Sequence, residues 1–203
     1  MVNWMSMNQK PLFCVVQALE SEYVPLEMNG AGCNHVVTGF GKVNAAVNLM
    51  VALQNERPNF VINIGTAGSF RHRVGDIVVC DRFVDRDLIK LRGLDADYVL
   101  DDTDHRAFFQ SLFAFNHYGV CSTGDQFVTE PQGDEDVYDM EAFAYSRVCR
   151  MLNIPFISVK YVTDKIGENS IKVWADKLAD ARCGLSLFFD SAMKKDYRLL
   201  DVR

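Results

Sequence analysis

Short apolar runs rich in β-branched and aromatic residues recur along the chain, and stretches of helical periodicity separate several of them. "LFCVVQAL" (12–19) predicts a first buried strand, and "HVVTGFG" (35–41) a second strand that ends in glycines. "KVNAAVNLMVALQNE" (42–56) predicts a helix with Val43, Ala46, Val47, Met50 and Leu53 on its apolar face. "FVINIGTAGSF" (60–70) reads as a strand leading into a small-residue turn. "VGDIVVCDRFVD" (74–85) and "GVCSTGDQFV" (119–128) read as further strands, with a helix near 105–116 between them. A helix over about 139–152, the strand "FISVKYVTD" (156–164) and an amphipathic helix over about 170–190 complete the pattern. Near-continuous apolar strands alternating with helices imply an α/β fold: one domain over 1–203, with a mixed central sheet flanked by helices on both faces.

Composition narrows the chemistry. With 49% apolar residues in 203, the chain has enough for a core without help from disulfides or metal. A net charge of −6 with no basic stripe argues against nucleic acid as a partner. Of the six cysteines none forms a Cys-x-x-Cys pair, and several sit in apolar runs where a thiol acts as a small hydrophobe. Four histidines without His-x-x-x-His spacing give no zinc site. "MVNWMSMNQKPLF" lacks the apolar stretch of a signal peptide, and no run has the length of a membrane span. The expectation is a reduced, cytoplasmic protein without metal or cofactor and without a membrane partner.

In folds of this class, ligands sit at the carboxyl ends of the strands. Those ends read "ALESE" (18–22), "TGFGK" (38–42), "GTAGS" (65–69), "STGDQF" (122–127) and "VTD" (162–164), and "DME" (139–141) stands at a helix start. Gly-rich turns let backbone N–H groups approach polar oxygens of a ligand. Glu22, Glu141 and Asp164 supply acid–base and hydroxyl-binding capacity, while Phe127 and Met140 supply apolar surface for a ring. Each residue alone has a plainer explanation. Glu22 fits a solvated "ESE", Glu141 a helix-dipole partner, Asp164 a turn cap, and Phe127 and Met140 ordinary core. Their recurrence at successive strand ends is what argues for one site.

Five blocks in order, "ALESEYVPL", "TGFGKVNAA", "VINIGTAGSF…VGDIVV", "STGDQFV" and "DMEAFAYSRVC…IPFISVKYVTD", resemble those of the methylthioadenosine/S-adenosylhomocysteine nucleosidases of the purine nucleoside phosphorylase superfamily. The likeness runs from about residue 12 to 190. It implies that Asp164 is the general acid at the leaving adenine and Glu22 the carboxylate that activates water. It further implies that Glu141 holds the ribose hydroxyls with Met140 beside it, and that Phe127 stacks on the purine. Thr66 and Lys160 fall where the family has a site Ser or Thr and an Arg or Lys. Trp174 falls where a residue of the last helix covers the 5′ substituent, and Leu19 and Phe40 are expected to line the same pocket. The family's sites are completed in homodimers, so a homodimer is expected.

Elementary chemistry agrees with that assignment. Breaking a glycosidic bond to a purine builds positive charge on the ribose and negative charge on the base, which a carboxylate on water and an acid at the base relieve. An aspartic acid can donate to a ring nitrogen while accepting from a 6-amino group. Related phosphorylases carry an arginine just before the "GT.G" turn, where this chain has Asn63, so hydrolysis is the expected branch.

Three departures bear on the substrate. Gln17 replaces a small residue, the 128–138 segment is short, and 83–102 lacks the family's aromatic and proline pattern. In that last region Arg86, Lys90 and Arg92 would favour a polar 5′ group. Beside the adenosine-type nucleosidase stand a phosphorylase or hydrolase of another nucleoside or nucleotide, and a non-catalytic nucleoside-binding dimer.

Overall fold

The computed structural model describes residues 11–193 except 92, 95, 132, 168 and 169. Two parallel strands, β1 (Leu12–Gln17) and β2 (Gly32–Val37), open the chain, and β2 starts and ends earlier than its apolar run suggests. Helix α1 (Lys42–Asn55) follows, then β3 (Phe60–Ser69) and β4 (Ile77–Asp85). A three-residue strand β5 (Val99–Asp101) precedes α2 (Arg106–Leu112), which stops short of the expected 116 because the backbone turns extended at Phe113. The chain continues through β6 (Gly119–Thr123), β7 (Val137–Asp139), α3 (Ala142–Met151), β8 (Phe156–Lys165) and α4 (Ser170–Ala192).

The strands run in the order β2-β1-β3-β7-β6-β4-β5, and β8 lies between β3 and β4, parallel to the first and antiparallel to the second. Strands β3, β8, β4, β6 and β7 thereby close on themselves in a ring, completed by the single pair Gly68 with Tyr138. Closure removes free edges on that side of the sheet. Helices cover both faces, as the alternation implied. One apolar layer joins β1 and β3 to α1 and α3 through Val16, Leu49, Leu53, Tyr145 and Val148. The other joins Phe13 and Ile62 to α2 and α4 through Phe109, Leu185 and Phe189.

Helix α1 does not bury the face its pattern suggested. Ala45, Leu49 and Leu53 are buried with Ala46 and Met50 against them, while Val43, Val47 and Val51 are 73%, 56% and 54% exposed. The helix carries apolar residues almost all round, so periodicity alone underdetermines its inner face.

The "GTAG" segment is not a turn. Strand β3 runs through it to Ser69, and its pairing with β8 slips between Ala67 and Gly68, where Gly68 meets Asp164. That irregularity puts one extra residue on β8, the kind of bulge that re-aims the side chains after it. A Cβ on Gly68 would stand 3.0 Å from Asp164 Oδ2 and 2.9 Å from Ile166, so the close approach of the two strands requires glycine here.

Candidate active site

Over the carboxyl ends of β1, β3, β7 and β8 lies a cavity of about 270 Å3 whose walls include Ala18, Glu22, Thr66, Met140, Glu141 and Asp164. Phe40, Phe127, Val128, Ile166 and Trp174 complete much of its apolar surface. Eight of the ten residues singled out in the sequence line it. The exceptions are Leu19 and Lys160.

Glu22 ends a 3-10 turn (Glu20–Glu22) and is buried. Its Oε1 accepts two hydrogen bonds from Thr66, one from the backbone N–H at 3.0 Å and one from the hydroxyl at 2.7 Å. The Thr66 N–H in the glycine segment is therefore committed to a protein carboxylate, not held open for a ligand. Thr66 Oγ1 in turn accepts from the indole Nε1–H of Trp174 at 2.9 Å.

Glu141 stands immediately before α3, yet its carboxylate leaves that helix alone and accepts from Gly41 N–H at the start of α1, at 2.9 Å. Gly41 adopts φ +85, a conformation that side-chain-bearing residues rarely take, and its N–H is satisfied by the Glu141 carboxylate. The simple helix-capping account of Glu141 fails because Asp139 caps α3: its Oδ2 accepts from Ala142 N–H at 2.9 Å. Burial, with the Asp139 carboxylate close by, pushes the Glu141 carboxyl up to about 7, against the pull of Lys160 and the Gly41 N–H.

Asp139 was not among the expected residues. Its Oδ1 accepts from the Thr123 hydroxyl at 2.6 Å, and Lys160 Nζ lies 2.8 Å from its Oδ2. Burial raises a carboxyl, but the Lys160 ammonium overcomes that and holds Asp139 below the usual carboxylate range. Lys160 itself is raised: burial alone would lower it, and Asp139 reverses the sign. Its ammonium thus belongs to a buried pair beneath the cavity rather than to the lining. Leu19 likewise contributes main chain, since its carbonyl accepts from Glu22 N–H at 3.1 Å and from Gln17 Nε2 at 3.2 Å.

Asp164 lies buried at the end of β8, and the Thr163 hydroxyl donates to its Oδ1 at 2.9 Å. Phe127 and Phe40 stand at the rim, 65% and 50% exposed, and the Phe40 ring sits 6.1 Å from that of Trp174.

Arg86 lines the cavity, and its guanidinium is buried and donates to four main-chain carbonyls. Nη1 reaches Ser122 O (2.7 Å) and Asp139 O (2.8 Å), and Nη2 reaches Gly124 O (2.8 Å) and Gln126 O (2.6 Å). It ties the segment carrying Phe127 to the end of β7. Arg92 and the side chain of Lys90 lie outside the described residues. Asn63 is buried between strands, its amide donating to Val16 O at 3.0 Å and accepting from Ser158 Oγ at 2.7 Å.

Residues 20–185 match the phosphorylase superfamily. A 5′-methylthioadenosine/S-adenosylhomocysteine nucleosidase of Marinomonas sp. is 31% identical over 181 residues, covering 77% of this chain and 78% of that protein. One of the same description from Bacillus pumilus is 33% identical over 157 residues, 66% and 68% of the two chains. Among solved structures, S-adenosylhomocysteine nucleosidase from Streptococcus pyogenes in complex with 5-methylthiotubericidin superposes with a TM-score of 0.74 at 20% identity, over 92% of this chain and 97% of that one.

Proposed function

The chain belongs to the methylthioadenosine/S-adenosylhomocysteine nucleosidase family of the phosphorylase superfamily, and from that premise we propose that it hydrolyses the N-glycosidic bond of a 5′-substituted adenine nucleoside. The observation that carries the proposal is the convergence of Glu22, Glu141 and Asp164 on one cavity whose remaining surface is largely apolar.

In this reading Glu141 accepts from the ribose hydroxyls, and Phe127 lies against the purine. As the bond from C1′ to the base breaks, its electrons go to the base, and Asp164 delivers a proton to the imidazole-ring nitrogen. The oxygen of a water bonds to C1′ and Glu22 takes its proton. The products are free adenine and a 5-substituted ribose.

Hydrolysis is favoured over phosphorolysis by two features of the site. The Asn63 amide is spent on Val16 and Ser158, and the Glu22 carboxylate would repel a phosphate dianion. A homodimer is part of the proposal; it is supported by the exposed valine stripe of α1, at Val43, Val47 and Val51, close in sequence to Phe40 at the rim. A cytoplasmic location is proposed on the free thiols, four of them buried as core packing.

The test is base release from methylthioadenosine, adenosylhomocysteine, 5′-deoxyadenosine, adenosine, inosine and adenosine monophosphate, each with and without phosphate. Adenine release from the thio-nucleosides without phosphate is expected. Release that requires phosphate would move the chain to the phosphorylases.

A further inference from the structure

Trp174 lines the cavity, and a ring wall is the obvious role for it. Its indole nitrogen has a second engagement. An indole N–H only donates, so at 2.9 Å it makes Thr66 Oγ1 the acceptor. A threonine hydroxyl has one hydrogen, and it rotates to suit its neighbours. With its oxygen facing the indole, that hydrogen is directed at Glu22 Oε1, 2.7 Å away. The bonds therefore run one way only, from Trp174 to Thr66 to Glu22, and each polarises the next.

Glu22 needs such outside support because its own element is a 3-10 turn of three residues. Helix α4, which carries Trp174, grips the same turn elsewhere: Arg182 Nη1 donates to Ser21 O at 3.4 Å. Both Thr66 donors land on Oε1. Among the described residues no hydrogen bond reaches Oε2, which is then the oxygen to receive the water proton in the hydrolysis proposed above.

We infer that Trp174 is a positioning residue for the water-activating carboxylate, acting through the Thr66 hydroxyl, in addition to being a wall of the cavity. The inference rests on the hydrolase reading. It separates Trp174 from a purely apolar wall, because a wall acts on the 5′ substituent and a positioning residue acts on the step common to all substrates.

The test is Trp174→Phe, which keeps a ring and removes the N–H, with kcat and KM measured on methylthioadenosine and on adenosine. The expected result is a loss of kcat of roughly three- to tenfold, the size of one hydrogen bond between neutral groups, by the same factor on both substrates and with KM within about twofold. Thr66→Val removes the same link from its other end and is expected to lower kcat at least as much. In that background Trp174→Phe adds no further loss. A rise in KM confined to methylthioadenosine, or losses that multiply in the double variant, would overturn the inference.

One readout needs no turnover. The Trp174 indole proton, identified in the NMR spectrum by its disappearance in Trp174→Phe, should exchange slowly with solvent in the wild type and faster in Thr66→Val. Equal exchange in the two proteins overturns the hydrogen-bond chain whatever the activity. A protected indole proton in a protein that releases no base would uphold the chain and overturn the hydrolase reading alone.

Discussion

On the floor of the cavity Asp139 accepts hydrogen bonds from the Thr123 hydroxyl and the Ala142 N–H and pairs with the Lys160 ammonium, and all four residues are buried. At the rim Phe40 and Phe127 stand half or more exposed, on the segments that follow β2 and β6. The two regions are held by different means. At the floor a charged pair and the neutral groups bonded to it cannot move without leaving an unpaired partner in low dielectric, and they are mounted on strands and helix starts. Rim groups are apolar and mounted on connections, where rings shift without breaking polar bonds. The difference places precision where protons would move and tolerance where a base and its substituent would be received.

The largest effects are expected from the acid–base groups at the floor. Asp164→Asn and Glu22→Gln should each lower base release by on the order of 10^2- to 10^4-fold, with melting temperatures within a few degrees of wild type, measured by adenine release and calorimetry. Near-normal turnover in either would dissolve the contrast between floor and rim. Next comes Lys160→Met, which strands the Asp139 charge in the interior. A loss of about 3–5 kcal/mol is expected, and the double variant Lys160→Met with Asp139→Asn should recover much of it. If the double variant is no more stable than the single one, the pair is not what holds the floor.

Much of this contrast is legible in the sequence. Glu141 opens the apolar α3 run and Asp164 closes the apolar β8 run, so the patterns that predict those elements also place the two carboxylates. Glu22, by contrast, stands in the polar turn that follows β1 and is legible only from its nearness to that strand end. Asp139 carried a weaker signal: a carboxylate three residues before the first helical N–H it caps. Arg86 carried none, because its four acceptors are main-chain carbonyls, which every residue possesses. Strands β5 and β7 have three residues each, too few to show a period. The inner face of α1 is not legible because a helix apolar over most of its circumference leaves that choice to the packing around it.

Glu141 sharpens the comparison by tying the floor to pH. Its carboxyl is raised to about 7 in the fold, against an ordinary 4.5. Between those values the folded state holds a proton that the unfolded chain has released, so this group's contribution to stability declines as pH rises through the window. Above pH 7 the cost is fully present, about 3 kcal/mol at a rate of roughly 1.4 kcal/mol per pH unit. Glu141→Gln, neutral throughout and still able to accept from Gly41 N–H, should therefore melt about 5–10 °C higher than wild type at pH 8. The difference should shrink toward pH 4.5. The same variant should lose activity, since an amide holds ribose hydroxyls less well than a carboxylate. An unchanged melting temperature at pH 8 would mean that the carboxylate is already compensated where it sits.

The smallest effect belongs to the rim. Phe127 is 65% exposed, so replacing it removes little buried area from the empty protein. Phe127→Ala should change stability by no more than about 0.5 kcal/mol. Stacking of an aromatic ring on a nucleobase is worth about 1–3 kcal/mol, so KM should rise roughly tenfold while kcat changes little. The rim then behaves as an adaptable contact, with its cost paid in binding alone. A fall in kcat as large as the rise in KM would show that the ring also orients the base toward Asp164, and the rim would have to be counted with the floor.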